Sequence, residues 1–285
     1  MKKINKPDES ADSSSFSCLP DDILLQILSR LIDLKTLCRC KLVSNRFNNT
    51  VQQVNTISVT ITSVDHPSFD SNSSGASSER DRPVNLLFKC ESFVSVMKSL
   101  QTFSALKSLC IEIPPFHTAP DNRILFKWKF KLGRRTDSFL FLSPNSVCDL
   151  KENVQDEEEN VMLTQMKRLV ATSCLVDGLT IRIEMRHYMK CFPLLENVTI
   201  TDTGKRGRLS LCGEEIVTET IEQTPKSFRS NERTRWCYVP LLKLPVSGYM
   251  MKGVFLAQFE VSDLPCDDSF ADMNLNGFED KVCIQ

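Results

Sequence analysis

Apolar side chains recur at helical spacing near the N-terminus. Ile23, Leu24, Ile27, Leu28 and Leu31 follow an i, i+1, i+4, i+5, i+8 pattern that gathers them on one side of a helix, which Pro20 and Asp21 are suited to start. Asp33 stands where an N-cap would satisfy free backbone N–H groups, and Leu34, Leu37 and Cys38 continue as a second short helix. Ser44 is placed to cap a third, on which Phe47, Val51 and Val54 share a face. Three such helices make a unit of roughly 40 residues, a size that seldom stabilises itself without a metal, disulfides or a partner. The sequence between them has no metal or disulfide pattern, so a partner is expected to cover the apolar surface.

The period then changes. From Asn55 to Ile61 polar residues alternate with β-branched apolar ones, the pattern of a strand with one buried face. The stretch 65–83 is rich in Ser, Asn, Gly and charge and reads as a flexible loop. Glu91 to Phe103 reads as an amphipathic helix. It is followed from Leu106 by an L-x-x-L-x-I step, which recurs from Leu195. Gly178 to Ile183 reads as a related strand about twenty residues before the second step, an interval suited to a leucine-rich repeat, although the full consensus is missing and the period fails elsewhere. Ile124 to Lys131 and Phe139 to Leu142 add strands, and Val161 to Cys174 reads as a helix preceded by the acidic run Asp156 to Glu159. The expected fold class is mixed α/β: three N-terminal helices, then an irregular leucine-rich-repeat-like α/β array.

Composition narrows the function. With 285 residues and 41% hydrophobic side chains the chain has material for a real core, and a formal net charge of -1 argues against general attraction to nucleic acid or anionic membrane. The first residues lack the apolar core of a signal peptide, and no apolar run approaches the roughly 18 residues needed to span a bilayer, so the expectation is a soluble intracellular protein of nucleus and/or cytoplasm. The 12 cysteines are scattered singly among apolar residues, as at Cys90, Cys110, Cys174, Cys191 and Cys212, and read as reduced core side chains. None of the three histidines stands at metal-ligand spacing from another ligand type, and no nucleophile elbow, Walker-type phosphate loop or dinucleotide-binding glycine turn occurs. No metal, cofactor or catalytic residue is therefore expected. Lys205, Arg206 and Arg208, among the glycines Gly204 and Gly207, form a basic turn between two strands. Such a turn needs no ligand, but its cations are the best charged candidates for contact with an acidic or phosphorylated partner.

The N-terminal pattern also carries a resemblance. Leu19-Pro20-Asp21, Ile23-Leu24, Ile27-Leu28, Leu31, Leu37-x-Arg39-Cys40 and Val43-Ser44-x-Arg46-Phe47 resemble an F-box in order and spacing, with Phe47 where Trp is commonest. The resemblance implies docking to a Skp-type adaptor and through it to a cullin-RING ubiquitin ligase. It assigns to that contact, or to the core of the motif, Leu19, Pro20, Ile23, Leu24, Ile27, Leu28, Cys40, Val43 and Phe47. Further fragments are similar to a plant subfamily related to the auxin up-regulated F-box proteins: Leu106 to Pro114, Phe126 to Gly133, Arg186 to Tyr188, Leu195 to Asp202, Gly207 to Glu215 and Tyr238 to Pro245. Relative to that subfamily a helical segment is missing between Leu179 and His187, and the acidic tail after Val261 matches nothing in it. The implied organisation is a disordered N-terminus (1–16), an F-box (17–55), an α/β substrate-binding domain (56–262) and an acidic, disordered tail (263–285). The implied function is substrate recognition within an SCF-type ligase. A signalling or transcription scaffold that uses the F-box only for adaptor contact is the alternative.

Overall fold

Residues 16, 18–61, 83–115, 124–132, 136–149, 159–212, 232–244 and 246–262 are described in the computed structural model of the chain. Expectations for residues 1–15, for the serine-rich stretch 65–82, for the acidic run 152–158 and for the tail 263–285 lie outside the described residues.

The three N-terminal helices are α1 (Asp21–Leu28), α2 (Leu34–Lys41) and α3 (Asn45–Val51). Both predicted caps are made: Asp33 accepts a hydrogen bond from the Thr36 backbone N–H at 2.8 Å, and Ser44 accepts one from Phe47 at 3.2 Å. The Thr36 hydroxyl also donates to Asp33, and these bonds hold the Asp33 carboxyl below its ordinary pKa.

The remaining elements are β1 (Thr56–Thr60), α4 (Pro83–Lys89), α5 (Glu91–Leu100), β2 (Ser108–Ile113), β3 (Lys127–Leu132), β4 (Thr136–Ser143), β5 (Ser146–Asp149), α6 (Val161–Met189), β6 (Asn197–Asp202), β7 (Gly207–Cys212), β8 (Glu232–Leu244) and β9 (Tyr249–Ser262). Among the described residues all nine strands join one mixed sheet. Strands β1, β2 and β6 are parallel neighbours, β6–β7 and β3–β4 are antiparallel pairs, and β3 runs parallel to β7. Strand β9 pairs with β4, β5 and β8, all antiparallel.

The parallel part explains the recurring hydrophobic step. Ile57, Leu109 and Val198 sit in register, as do Val59, Ile111 and Ile200, and all six are buried. Val54, Leu106 and Leu195 each stand three residues before the first of these rows and are buried too. The first step, Val54-x-x-Ile57-x-Val59, thus belongs with the two recognised from sequence. The strands β1, β2 and β6 follow the helices α3, α5 and α6, but at intervals far longer than one leucine-rich repeat.

One strand expectation is overturned. Gly178 to Ile183 lies in α6, which runs without a break from Val161 to Met189. Its alternating β-branched residues imitate a strand, but the buried row Val170, Cys174, Asp177, Ile181, Met185 and Met189 has helical spacing, and the packing of that row on the sheet decides the conformation. Gly178 permits the approach, because a Cβ there would stand 2.5 Å from Cδ1 of Phe130 on β3.

The cysteine expectation is also corrected. Cys174 is buried, but Cys110, Cys191 and Cys212 are exposed and Cys90 is half-buried. Cys110 and Cys212 occupy outward positions of the alternating strands β2 and β7, and Cys191 follows the end of α6. Apolar neighbours in sequence did not place them inside, because a strand's neighbours point the opposite way.

Candidate functional site

The N-terminal helices divide their apolar residues between two directions. Leu24 and Leu28 of α1, Leu34 and Leu37 of α2, and Val51 and Val54 belong to the same buried cluster as Ile57, Phe93 and Phe103. The backbone continues that union: Ser58 N–H donates to the Ile32 carbonyl at 2.7 Å, and Asp33 bridges to Ser58. Lys41, at the end of α2, donates to the Thr102 hydroxyl and lies 3.8 Å above the Phe103 ring, where burial lowers its pKa. The inward row is therefore covered by the chain itself, contrary to the expectation that a partner must cover all of it.

The outward row is different. Ile23 and Ile27 are each 40% exposed, Val43 is 66% exposed, and Pro20 is exposed. Of the residues assigned by resemblance, these four face solvent, Leu24 and Leu28 are core, and Leu19, Cys40 and Phe47 are half-buried. Cys40 and Phe47 pack against the core. Sequence reading passed over Phe16 and Leu42, which are 49% and 87% exposed. Leu42 follows the last residue of α2 as its C-cap. The available signal was an apolar residue at a helix end with no periodic partner.

Arg46 of α3 fixes the start of this surface. Its Nε donates to the Asp21 carboxylate at 2.6 Å, Nη1 to the Phe16 carbonyl at 3.1 Å, and Nη2 to the Leu19 carbonyl. Phe16 meets Phe47 edge to face, with ring centres 6.0 Å apart. One guanidinium thus pins the Leu19-Pro20 step where α1 begins, with the fork geometry that lysine lacks.

The basic turn between β6 and β7 is organised by an acid. Asp202 occupies a buried inward position, where its Oδ1 accepts from the backbone N–H groups of Arg206, at 2.7 Å, and Gly207, at 3.2 Å. Burial raises its pKa, opposed by those two bonds and by the Arg206 charge. These two N–H groups are engaged by the carboxylate and are not open to an external phosphate. Lys205 has φ +53 and is exposed, and Arg208 is exposed on the outer face of β7. Arg206 is half-buried, its guanidinium 5.3 Å above the Phe126 ring. The turn therefore does not present three equivalent cations.

Among the described residues no three His, Cys, Asp or Glu side chains are grouped to hold a metal ion, and no helix is long and apolar enough to cross a membrane.

Comparison with known proteins agrees with this geometry. Residues 16–54 match the family model described as F-box-like. The chain is 27% identical to the F-box protein AUF2 of Arabidopsis thaliana over 280 residues, covering 87% of this chain and 88% of that protein. It is 24% identical to the F-box protein At4g18380 of the same plant, covering 90% and 85%, and 20% identical to the F-box protein AUF1, covering 93% and 91%. No solved structure matches. An F-box-like domain of three short helices therefore opens a mixed α/β chain that is similar to plant F-box proteins over most of its length.

Proposed function

We propose that the chain is the substrate-recognition subunit of an SCF-type (Skp-cullin-F-box) E3 ubiquitin ligase. Residues 17–55 dock a Skp-type adaptor, and 56–262 hold a protein substrate. The observation that carries this reading is the division of α1: Leu24 and Leu28 anchor the helix in the chain's own core, while Ile23 and Ile27 stand outward near the pinned Leu19-Pro20 step. An outward apolar row on a rigid base is the arrangement of a docking face. Leu19, Pro20, Ile23, Ile27 and Val43 supply contact, and Leu24, Leu28, Cys40 and Phe47 hold those residues in place.

The mechanism is proximity. The chain forms no bond itself. By binding adaptor and substrate at once it raises the effective concentration of substrate lysines at the ligase's charged E2. The reading is tested by affinity capture with the wild-type chain and with Leu19→Ala/Pro20→Ala, followed by ubiquitin transfer with adaptor, cullin-RING and E2 supplied. Both forms are expected to recover the same substrate, with transfer only through the wild type. Recovery of adaptor and substrate without F-box-dependent transfer would favour the scaffold alternative.

A further inference from the structure

Helix α6 carries a second apolar row on its exposed side. Met162, Leu169, Val176 and Ile183 stand at every seventh residue, and Lys190, the C-cap of α6, continues the same row. Met162, Leu169 and Ile183 are 77%, 67% and 64% exposed, Val176 is half-buried and Lys190 is exposed. The inward row from Val170 to Met189 already holds the helix on the sheet, so these outward side chains add nothing to the chain's own core. A seven-residue period drifts by only about 20° per repeat on a straight helix, and the row from Met162 to Ile183 covers about 32 Å at 1.5 Å per residue. An apolar row of that period is the seam of a helix that packs lengthwise against another helix.

The order of residues along the row says which helix fits. Turned end for end about the Thr172–Ser173 step, α6 matches itself. Met162 of one copy comes level with Ile183 of the other, and Leu169 with Val176. Between these apolar pairs, Gln165 comes level with Thr180, and Thr172 with Ser173, so polar side chains meet polar ones. The small pair at the centre lets the axes close to the roughly 8–10 Å of packed helices. The ends are complementary in charge. Exposed Glu159 stands just before the N-cap Asn160, and in the turned register it lies about one helical turn from Lys190 of the other copy, within reach of a lysine stem. Two copies laid in the same direction would instead set Glu159 against Glu159 and Lys190 against Lys190. Each charge also suits its own helix end, but that leaves the apolar row between them unexplained.

We propose that the exposed row of α6 is a self-association surface, on which a second copy of this chain docks antiparallel about a two-fold axis through the Thr172–Ser173 step. A two-fold contact uses one self-complementary patch and makes each pairing twice, as this row does. A single pair of helices falls at the low end of interface sizes, below about 1,200 Å², so the dimer is a reversible one. The surface is separate from the outward row of α1, and the proposal goes beyond the adaptor reading and stands without it.

The test is sedimentation equilibrium of the full-length chain over a concentration series, where the wild type is expected to show a monomer–dimer equilibrium. Leu169→Gln/Ile183→Gln is expected to raise the dimer dissociation constant at least tenfold. Met162→Gln, near the start of the helix, should raise it at least threefold and gives an independent reading should the pair unfold. Leu42→Gln, on the N-terminal helices, should leave it within twofold. At low salt, Glu159→Lys and Lys190→Glu should each weaken the dimer at least threefold, and the double exchange Glu159→Lys/Lys190→Glu should return it to within twofold of the wild type. Circular dichroism melts on the same samples confirm that the exposed substitutions leave the fold intact. A single monomeric species up to the solubility limit, a dimer unmoved by the α6 variants, a dimer lost with Leu42→Gln, or a double exchange that fails to restore association each overturns the proposal.

Discussion

Replacing Leu24 by Ala tests whether the N-terminal helices share the core of the sheet. Leu24 is fully buried on the inward side of α1, in one cluster with Ile57 of β1 and Phe93 of α5. Truncation removes the transfer free energy of the lost methyl and methine carbons and leaves a cavity that its neighbours fill only in part, a loss of about 2–5 kcal/mol for a buried leucine. Ile27, one turn along, is 40% exposed where Leu24 is fully buried, and Ile27→Ala should change stability by less than about 0.5 kcal/mol. The comparison uses urea unfolding of the chain without adaptor, followed by tryptophan fluorescence, because the buried Trp128 reports the sheet and not the helices. The expected result is a lower urea midpoint for Leu24→Ala and an unchanged one for Ile27→Ala. A sheet transition that stays in place for Leu24→Ala would refute the shared core and make the three helices an independent unit.

Gly207→Ala should destabilise the chain by about 1–3 kcal/mol, because its new Cβ would stand 2.5 Å from Cζ2 of the buried Trp128; Gly204→Ala, whose nearest contacts are at 3.9 Å, should be nearly neutral in the same thermal melts. Asp202→Asn keeps an oxygen for the Arg206 and Gly207 N–H groups but cannot ionise. Since the folded-state pKa of Asp202 is raised, the stability it contributes is present below the ordinary value of 3.8 and is lost as pH rises through the folded value, so the variant should gain on the wild type between pH 4 and pH 8 in urea midpoints. A pH-independent difference would contradict this. Burial pushes the Cys174 thiol strongly up, with Asp177 and Asp202 adding to the effect, so iodoacetamide at neutral pH should modify exposed Cys110, Cys191, Cys212 and Cys237 in the native chain and spare Cys174, as read by peptide mass mapping.

The N-terminal helices were legible because their signals are local. Caps at Asp33 and Ser44 and apolar residues three and four apart act within a single turn of chain, and each formed as read. What sequence could not supply was the direction of each apolar row. Leu24 and Ile27 are equally hydrophobic, and only the packing of α1 and α2 against β1 and α5 separates core from surface. The strands at Leu109 and Val198 were found and do share a sheet, but Ile183 was assigned to a strand wrongly, since a short alternating run fits both periods until the neighbouring residues of α6 are included. At the basic turn the three cations were visible and their separation was not. Asp202, which claims the turn's N–H groups, lies buried in a row of apolar residues, and Phe126, which receives Arg206, comes from a segment about eighty residues away.

The most direct test of the docking face is calorimetric titration of a Skp-type adaptor into the wild-type chain and into Ile27→Asp, with urea midpoints measured on the same preparations. Ile27 is exposed, so the charge should leave the midpoint unchanged, while burying it in the adaptor interface should weaken binding by more than about 2 kcal/mol. Equal adaptor affinity for the two proteins, at equal stability, would contradict the assignment of the outward row of α1 to that contact.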